Sequence, residues 1–208
     1  MIYSYDEAIA IYKSNYQLQK AIDNKEFFKI EPGIYSNREY INNLLIIVKK
    51  YPNAIFTSDS AYYYHNLTDV IPQYYFLATD RKASKINDSK VKQIYLPEDK
   101  FDLGISKITV DGIEISIYDK EKMLIELVKN SEKIPFDYYK EIINNYRNLS
   151  DKLDMNKISD YLNYYKNDIN LFSKIQKEVF WWIYRNWFKN ILKQDIAMEM
   201  LRQRYVKI

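Results

Sequence analysis

The chain contains no cysteine, which excludes disulfides, thiolate zinc sites and cysteine nucleophiles. It has a single histidine, His65, so an imidazole metal site or a Ser-His-Asp triad would have to use that residue. Its setting, Tyr64-His65-Asn66-Leu67, reads as a helix end, where a hydrogen-bonded structural histidine is expected. Only 3 glycines are present, with no Walker A loop, dinucleotide glycine pattern or zinc spacing, so a phosphate-cradling loop is not expected. No apolar run reaches membrane-spanning length and no signal peptide is recognisable. Together with the lack of cysteine, these absences predict a soluble, cytoplasmic protein. With 5 prolines and no Gly-rich, Pro-rich or low-complexity tract, any domain boundary must be a short hinge.

What is present is globular in character. Of 208 residues, 47% are hydrophobic and 28% charged, enough for one large domain or a small one joined to a medium one. The 22 tyrosines accompany abundant Ile, Asn and Lys, the signature of an AT-rich genome, and carry no mechanistic weight. The net charge of +3 is mild. Residues 1–36 are slightly acidic, whereas basic residues predominate beyond Lys174.

The stretch Ser14–Tyr35 organises the N-terminal reading. Leu18, Ala21 and Ile22 share one helical face, with Gln17, Gln19, Lys20 and Asp23 turned away. Phe27 to Ile30, the turn Glu31-Pro32-Gly33 and Ile34-Tyr35 then predict a tight hairpin, or wing. Upstream, Ser4 and Glu7 have capping-box spacing ahead of Ala8, Ile9 and Tyr12, and Lys13-Ser14-Asn15 forms the turn between two helices. Helix, turn, helix and wing can place the second helix in a DNA major groove. Ser14, Asn15, Tyr16, Gln17 and Lys20 would then reach bases and phosphates, with Lys25 or Lys29 gripping the backbone from the wing. A helix-hairpin that merely caps the next domain is the alternative.

A helix over 38–50, ended by Tyr51-Pro52, leads into a second region. Strands are expected over 53–57, 74–79, 92–96, 105–110 and 113–118, the last two joined by Asp111-Gly112. Ser58-Asp59-Ser60 reads as a cap for a helix over 61–65, and 82–90 as a polar loop. Asp119-Lys120-Glu121-Lys122 opens a further helix, with acidic residues suited to its dipole, and two more follow over 136–148 and 155–165. Beyond Asp168 a long pattern places Phe180, Tyr184, Trp187, Ile191, Met198, Leu201 and Tyr205 on one stripe, too apolar to stand alone in water. The fold class is therefore α/β of the α+β kind: an N-terminal winged helix-turn-helix-like module over 1–37, a mixed α/β domain over 38–170, and a helical C-terminal region over 171–208.

Chemistry is sparse. Asp102 and Glu114, with Ser116, are the nearest approach to a metal-dependent nuclease, and Ser116 stands where such a site wants a lysine. Neither a metal nor a cofactor is assigned, and an enzyme is not the expected reading.

The ordered motifs of the wing Phe28 to Tyr35, Tyr51-Pro52-Asn53-Ala54-Ile55-Phe56-Thr57-Ser58-Asp59-Ser60-Ala61, His65-Asn66-Leu67-Thr68-Asp69, Ile71-Pro72, Leu77-Ala78-Thr79-Asp80-Arg81 and Tyr118 to Leu127 resemble the AbiEi family. These are antitoxins of type IV toxin-antitoxin systems. The resemblance spans about residues 4–180 and implies a bacterial autorepressor that binds inverted repeats upstream of its own gene. Its C-terminal domain would oppose a neighbouring nucleotidyltransferase toxin without a stable complex. The family's base-contacting region maps onto Ser14 to Lys20 and Lys29. Family members usually carry another helix before the segment matching Ser4 to Tyr12, so the resemblance implies a shortened module here. The stripe Tyr184, Trp187, Ile191, Met198 and Leu201 extends past the usual end and is expected to pack under that module or to form a homodimer. An interaction protein that has kept the antitoxin domain without DNA binding is the competing reading, with a nuclease-like enzyme third.

Overall fold

The computed structural model describes residues 1–166 and 168–180. The C-terminal stripe Tyr184, Trp187, Ile191, Met198 and Leu201 lies outside the described residues. The chain forms two compact units, one of Met1–Ala54 with Lys107–Ile115, the other of Ile55–Ser106 with Ser116–Ile208. The mixed α/β composition matches the expected class.

In the first unit, strand β1 (Ile2–Ser4) runs straight into helix α1 (Tyr5–Tyr12). Ser4 accepts the Glu7 N–H while Glu7 accepts the Ser4 N–H at 2.6 Å, a complete capping box. The helix stops at Lys13, whose φ of 63° turns the backbone into α2 (Asn15–Asp23). Ser14 caps α2 by accepting the Gln17 N–H at 3.2 Å. The hairpin β2 (Phe28–Glu31) and β3 (Ile34–Ser36) follows, its turn completed by Gly33 at φ 80°. β1 adds to the free side of β3, giving a three-stranded antiparallel sheet in the order β1-β3-β2.

Ala8, Leu18, Ala21, Phe27 and Tyr35 form the core of this unit. Phe27 is its centre, with ring centroids 5.4 Å from Tyr3, 5.1 Å from Tyr12 and 6.3 Å from Tyr35. Such aromatic pairs add about 0.5–1.5 kcal/mol each beyond area burial. Helix α3 (Asn43–Lys50) also belongs here and packs against β1. Its Leu44, Ile46 and Ile47 are buried, Lys49 pairs with Glu7 at 2.7 Å, and Lys50 pairs with Glu31 at 2.9 Å. The expected boundary at residue 37 thus falls inside this unit. The strand β1 and the helix α3 supply apolar cover that the two short helices and hairpin alone would lack.

A five-stranded sheet is built on β4 (Ile55–Phe56), β5 (Tyr75–Asp80), β6 (Val91–Leu96), β7 (Ile105–Val110) and β8 (Ile113–Tyr118), in the order β6-β5-β4-β8-β7. Lys107–Ile115 of the β7-β8 hairpin groups with the first unit, and all the rest of the sheet belongs to the second. β4 is antiparallel to β5 and parallel to β8, and β5 and β6 are parallel. The parallel pair is joined by 81–90, which contains no helix. Gln93 holds that loop by donating to the Ser84 carbonyl and to Thr79 Oγ1 while accepting the Ile86 N–H. Asp111 and Gly112 both have positive φ, 49° and 78°, as a two-residue hairpin turn requires.

Helix α4 (Ser58–Tyr64) follows β4, and the short α5 (Glu98–Phe101) follows β6. Helix α6 (Lys120–Lys129) buries residues on every face and is the central helix of the unit. Helices α7 (Phe136–Asn148), α8 (Met155–Leu162) and α9 (Asp168–Ile175) complete it, and a π-helical turn continues α9 through Phe180. The expected cap at Ser58-Asp59-Ser60 needs correction. Thr57 occupies the cap position without a side-chain cap bond, and Ser60 is buried instead. There Ser60 accepts the Phe76 N–H and donates to the Tyr74 carbonyl, so it ties α4 to the start of β5.

Candidate functional site

Leu18 and Ala21 point into the core of the first unit, which turns the opposite face of α2 to solvent. Asn15, Tyr16, Gln17 and Lys20 are all exposed, Tyr16 by 77%. Ser14 is half-buried. Its oxygen is committed to the Gln17 N–H, which leaves the hydroxyl proton free to donate. Gln19 is also outward but donates to Asp23 at 2.9 Å, which occupies part of its amide. Lys29 is exposed on β2, and Lys25 is exposed at φ 60° in the turn before it. One helix face and one hairpin of the same unit therefore carry all the N-terminal candidate residues. The local acidity is also reduced, because Glu7 and Glu31 are each paired with a lysine from α3. The Lys49 bond, aided by the Ser4 N–H, holds the Glu7 carboxyl down at about 2.

The second unit contains a polar cluster that sequence reasoning missed. Lys122 is fully buried in the first turn of α6, its ammonium 3.1 Å from the centroid of the Tyr118 ring and bonded to the Lys100 carbonyl. Burial pushes its pKa down to about 7 against the pull of Glu126, Asp119 and Asp102. Beside it, Asp119 caps α6 through the Lys122 N–H and accepts from Tyr161 and Lys157, each at 2.8 Å. Its hydrogen bond raises the Lys157 pKa, while burial pushes the Tyr161 hydroxyl up to about 12. Gly104, at φ 71°, is required here: a Cβ would sit 3.0 Å from the Asp119 carboxylate and from Lys122 Cβ. The sequence signal was available in α6, whose apolar residues cover more than one face and imply that its charged first turn is enclosed too.

A cavity of about 290 Å³ opens in the same unit, with Ser58 and Asp59 of α4, Ile94 and Leu96 of β6, and Met123 and Glu126 of α6 among its walls. Ser58 has a φ of 48°, a left-handed backbone that non-glycine residues adopt at a cost of about 1–3 kcal/mol. Asp59 is half-buried, and desolvation raises its pKa although Tyr138 donates a long hydrogen bond of 3.5 Å to it.

His65 is a buried structural residue, with Nε2 2.7 Å from the Tyr118 carbonyl. The suggested metal ligands are otherwise placed: Glu114 pairs with Lys107 at 2.7 Å, and Asp102 ends α5. Among the described residues no group of three or more histidine or acidic side chains could hold a metal ion. Nor is any helix among them long and apolar enough to cross a membrane. Compared with known proteins, the chain matches no family model and no curated protein.

Proposed function

We propose that the chain is a DNA-binding autorepressor of the AbiEi antitoxin kind, in which the first unit works as a winged helix-turn-helix and α2 as its reading helix. The observation that supports this reading is the exposed row Asn15, Tyr16, Gln17 and Lys20 on a capped helix, flanked by a hairpin that carries Lys29. Asn15 and Gln17 have the amide geometry for adenine, while the Ser14 hydroxyl, Lys20, Lys25 and Lys29 suit phosphates. In this reading β1 is the strand that accompanies such a module, and α3 supports it by packing on β1. The remainder of the chain would oppose a nucleotidyltransferase toxin, without a stable complex, as the family resemblance implies.

A gel shift of the purified chain on the DNA upstream of its own gene, against scrambled DNA, tests the reading. Specific retention is expected; Gln17→Ala should weaken it about tenfold or more, in line with about 1–3 kcal/mol per base contact, and Lys20→Ala should weaken binding to both DNAs. Equal retention of both DNAs, or retention that survives both substitutions, would overturn it.

A further inference from the structure

The cavity in the second unit is enclosed by Ile94, Leu96 and Met123 but also holds carboxylates. Those carboxylates are not alike. Glu126 accepts from the Tyr165 hydroxyl on one oxygen, and from Asn130 and Lys129 on the other. Asp59 receives only the long Tyr138 bond, and among the described residues no lysine or arginine pairs with it. The nearby cations are engaged elsewhere or solvated: the Lys122 ammonium is bonded to the Lys100 carbonyl, and Lys133 is exposed to solvent. A half-buried carboxylate without a cation is held at a cost that a bound cation would remove. The backbone of Ser58 bears strain of the kind kept where a ligand is clamped, and Ser58 lines the same space.

We propose that this cavity binds a small organic cation, a primary ammonium on an apolar body, with Asp59 as the anchor for the ammonium and Ser58 as a second hydrogen-bonding group. A metal ion is disfavoured because Asp59 and Ser58 offer too few oxygen ligands. The volume, at the small end for ligand pockets, limits the body to about one ring or a short branched chain. Ile94, Leu96 and Met123 would cover that body. The site lies wholly in the second unit and does not rest on the DNA-binding reading.

Calorimetric titration of the full chain at pH 7.5 with phenethylamine, and with 2-phenylethanol as its neutral counterpart, tests the proposal. Saturable binding of the amine is expected, with the alcohol at least tenfold weaker. In Asp59→Asn the amine should lose that advantage while the alcohol is unchanged, and Ser58→Ala should weaken the amine more modestly. The absence of saturable amine binding, equal affinities for the two compounds, or an amine affinity untouched by Asp59→Asn would each overturn the assignment. Circular dichroism checks that Asp59→Asn is folded. If it is not, the amine-to-alcohol ratio on the unaltered chain decides.

Discussion

Lys122 is buried beneath Tyr118 and bonded to the Lys100 carbonyl, with Glu126, Asp119 and Asp102 supplying the opposing negative field. Because its pKa falls from 10.5 to about 7 on folding, the unfolded chain holds a proton between those values that the native state has released. Stability from this group therefore rises with pH across that window, and its full cost is present below pH 7. Lys122→Met should be as stable as the parent at pH 6, or more stable by about 1–3 kcal/mol, since replacing a buried charged group with an apolar side chain is often neutral or favourable. It should also flatten the rise between pH 7 and pH 9, measured by urea unfolding at each pH. A variant that kept the full rise would place its source elsewhere. Asp119-Lys120-Glu121-Lys122 by itself reads only as a charged first turn suited to the helix dipole, and the sole hint of its enclosure is the apolar residues that follow on more than one face of α6. The burial comes from tertiary packing around α6. Ser60 misled for a similar reason, since a serine near a helix start serves equally well as a cap or as an inward tie.

Elements defined by local chemistry were the most legible. The capping box at Ser4, the inter-helix turn at Lys13-Ser14-Asn15, the turn at Gly33 and the hairpin turn at Asp111-Gly112 all depend on neighbouring residues, and all occur where their sequence signals stand. The strand β1 had no such signal: its three residues are too few to show alternation, and its pairing with β3, Ile2 with Ser36 and Ser4 with Ile34, depends on residues far along the chain. α3 was recognised as a helix, but its apolar stripe does not say which unit it covers. Its packing on β1 gives a direct expectation. Ile47→Ala, at a site only 1% exposed, should destabilise the first unit by about 2–5 kcal/mol. Hydrogen exchange should accelerate in the amides of β1 and α1 while those of α6 keep their protection. Acceleration confined to α6 would contradict the grouping.

At the scale of the whole molecule the five strands of the larger sheet were legible but their order was not. β4 contributes only two residues, yet it stands between β5 and β8, and that placement depends on pairings far apart in the chain. Electrostatics at this scale sets a limit on DNA affinity. Through residue 54 the chain carries seven basic and six acidic side chains, so binding must draw on local placement and not on net charge. If Lys20, Lys25 and Lys29 each meet a phosphate, the logarithm of affinity should fall against the logarithm of salt with a slope of about −3 per chain. A fluorescence anisotropy series in salt measures this, and a slope near zero would remove those lysines from the interface. The lone histidine has a separate use. A carbonyl can only accept, so the 2.7 Å contact with Tyr118 fixes the proton on Nε2 and leaves Nδ1 unprotonated, and burial lowers the ring's pKa. In a chain with one imidazole, the ¹⁵N resonances of that ring need no assignment. A single spectrum can therefore follow the junction of α4 and β8 through any titration, and a loss of that tautomer would mark its opening.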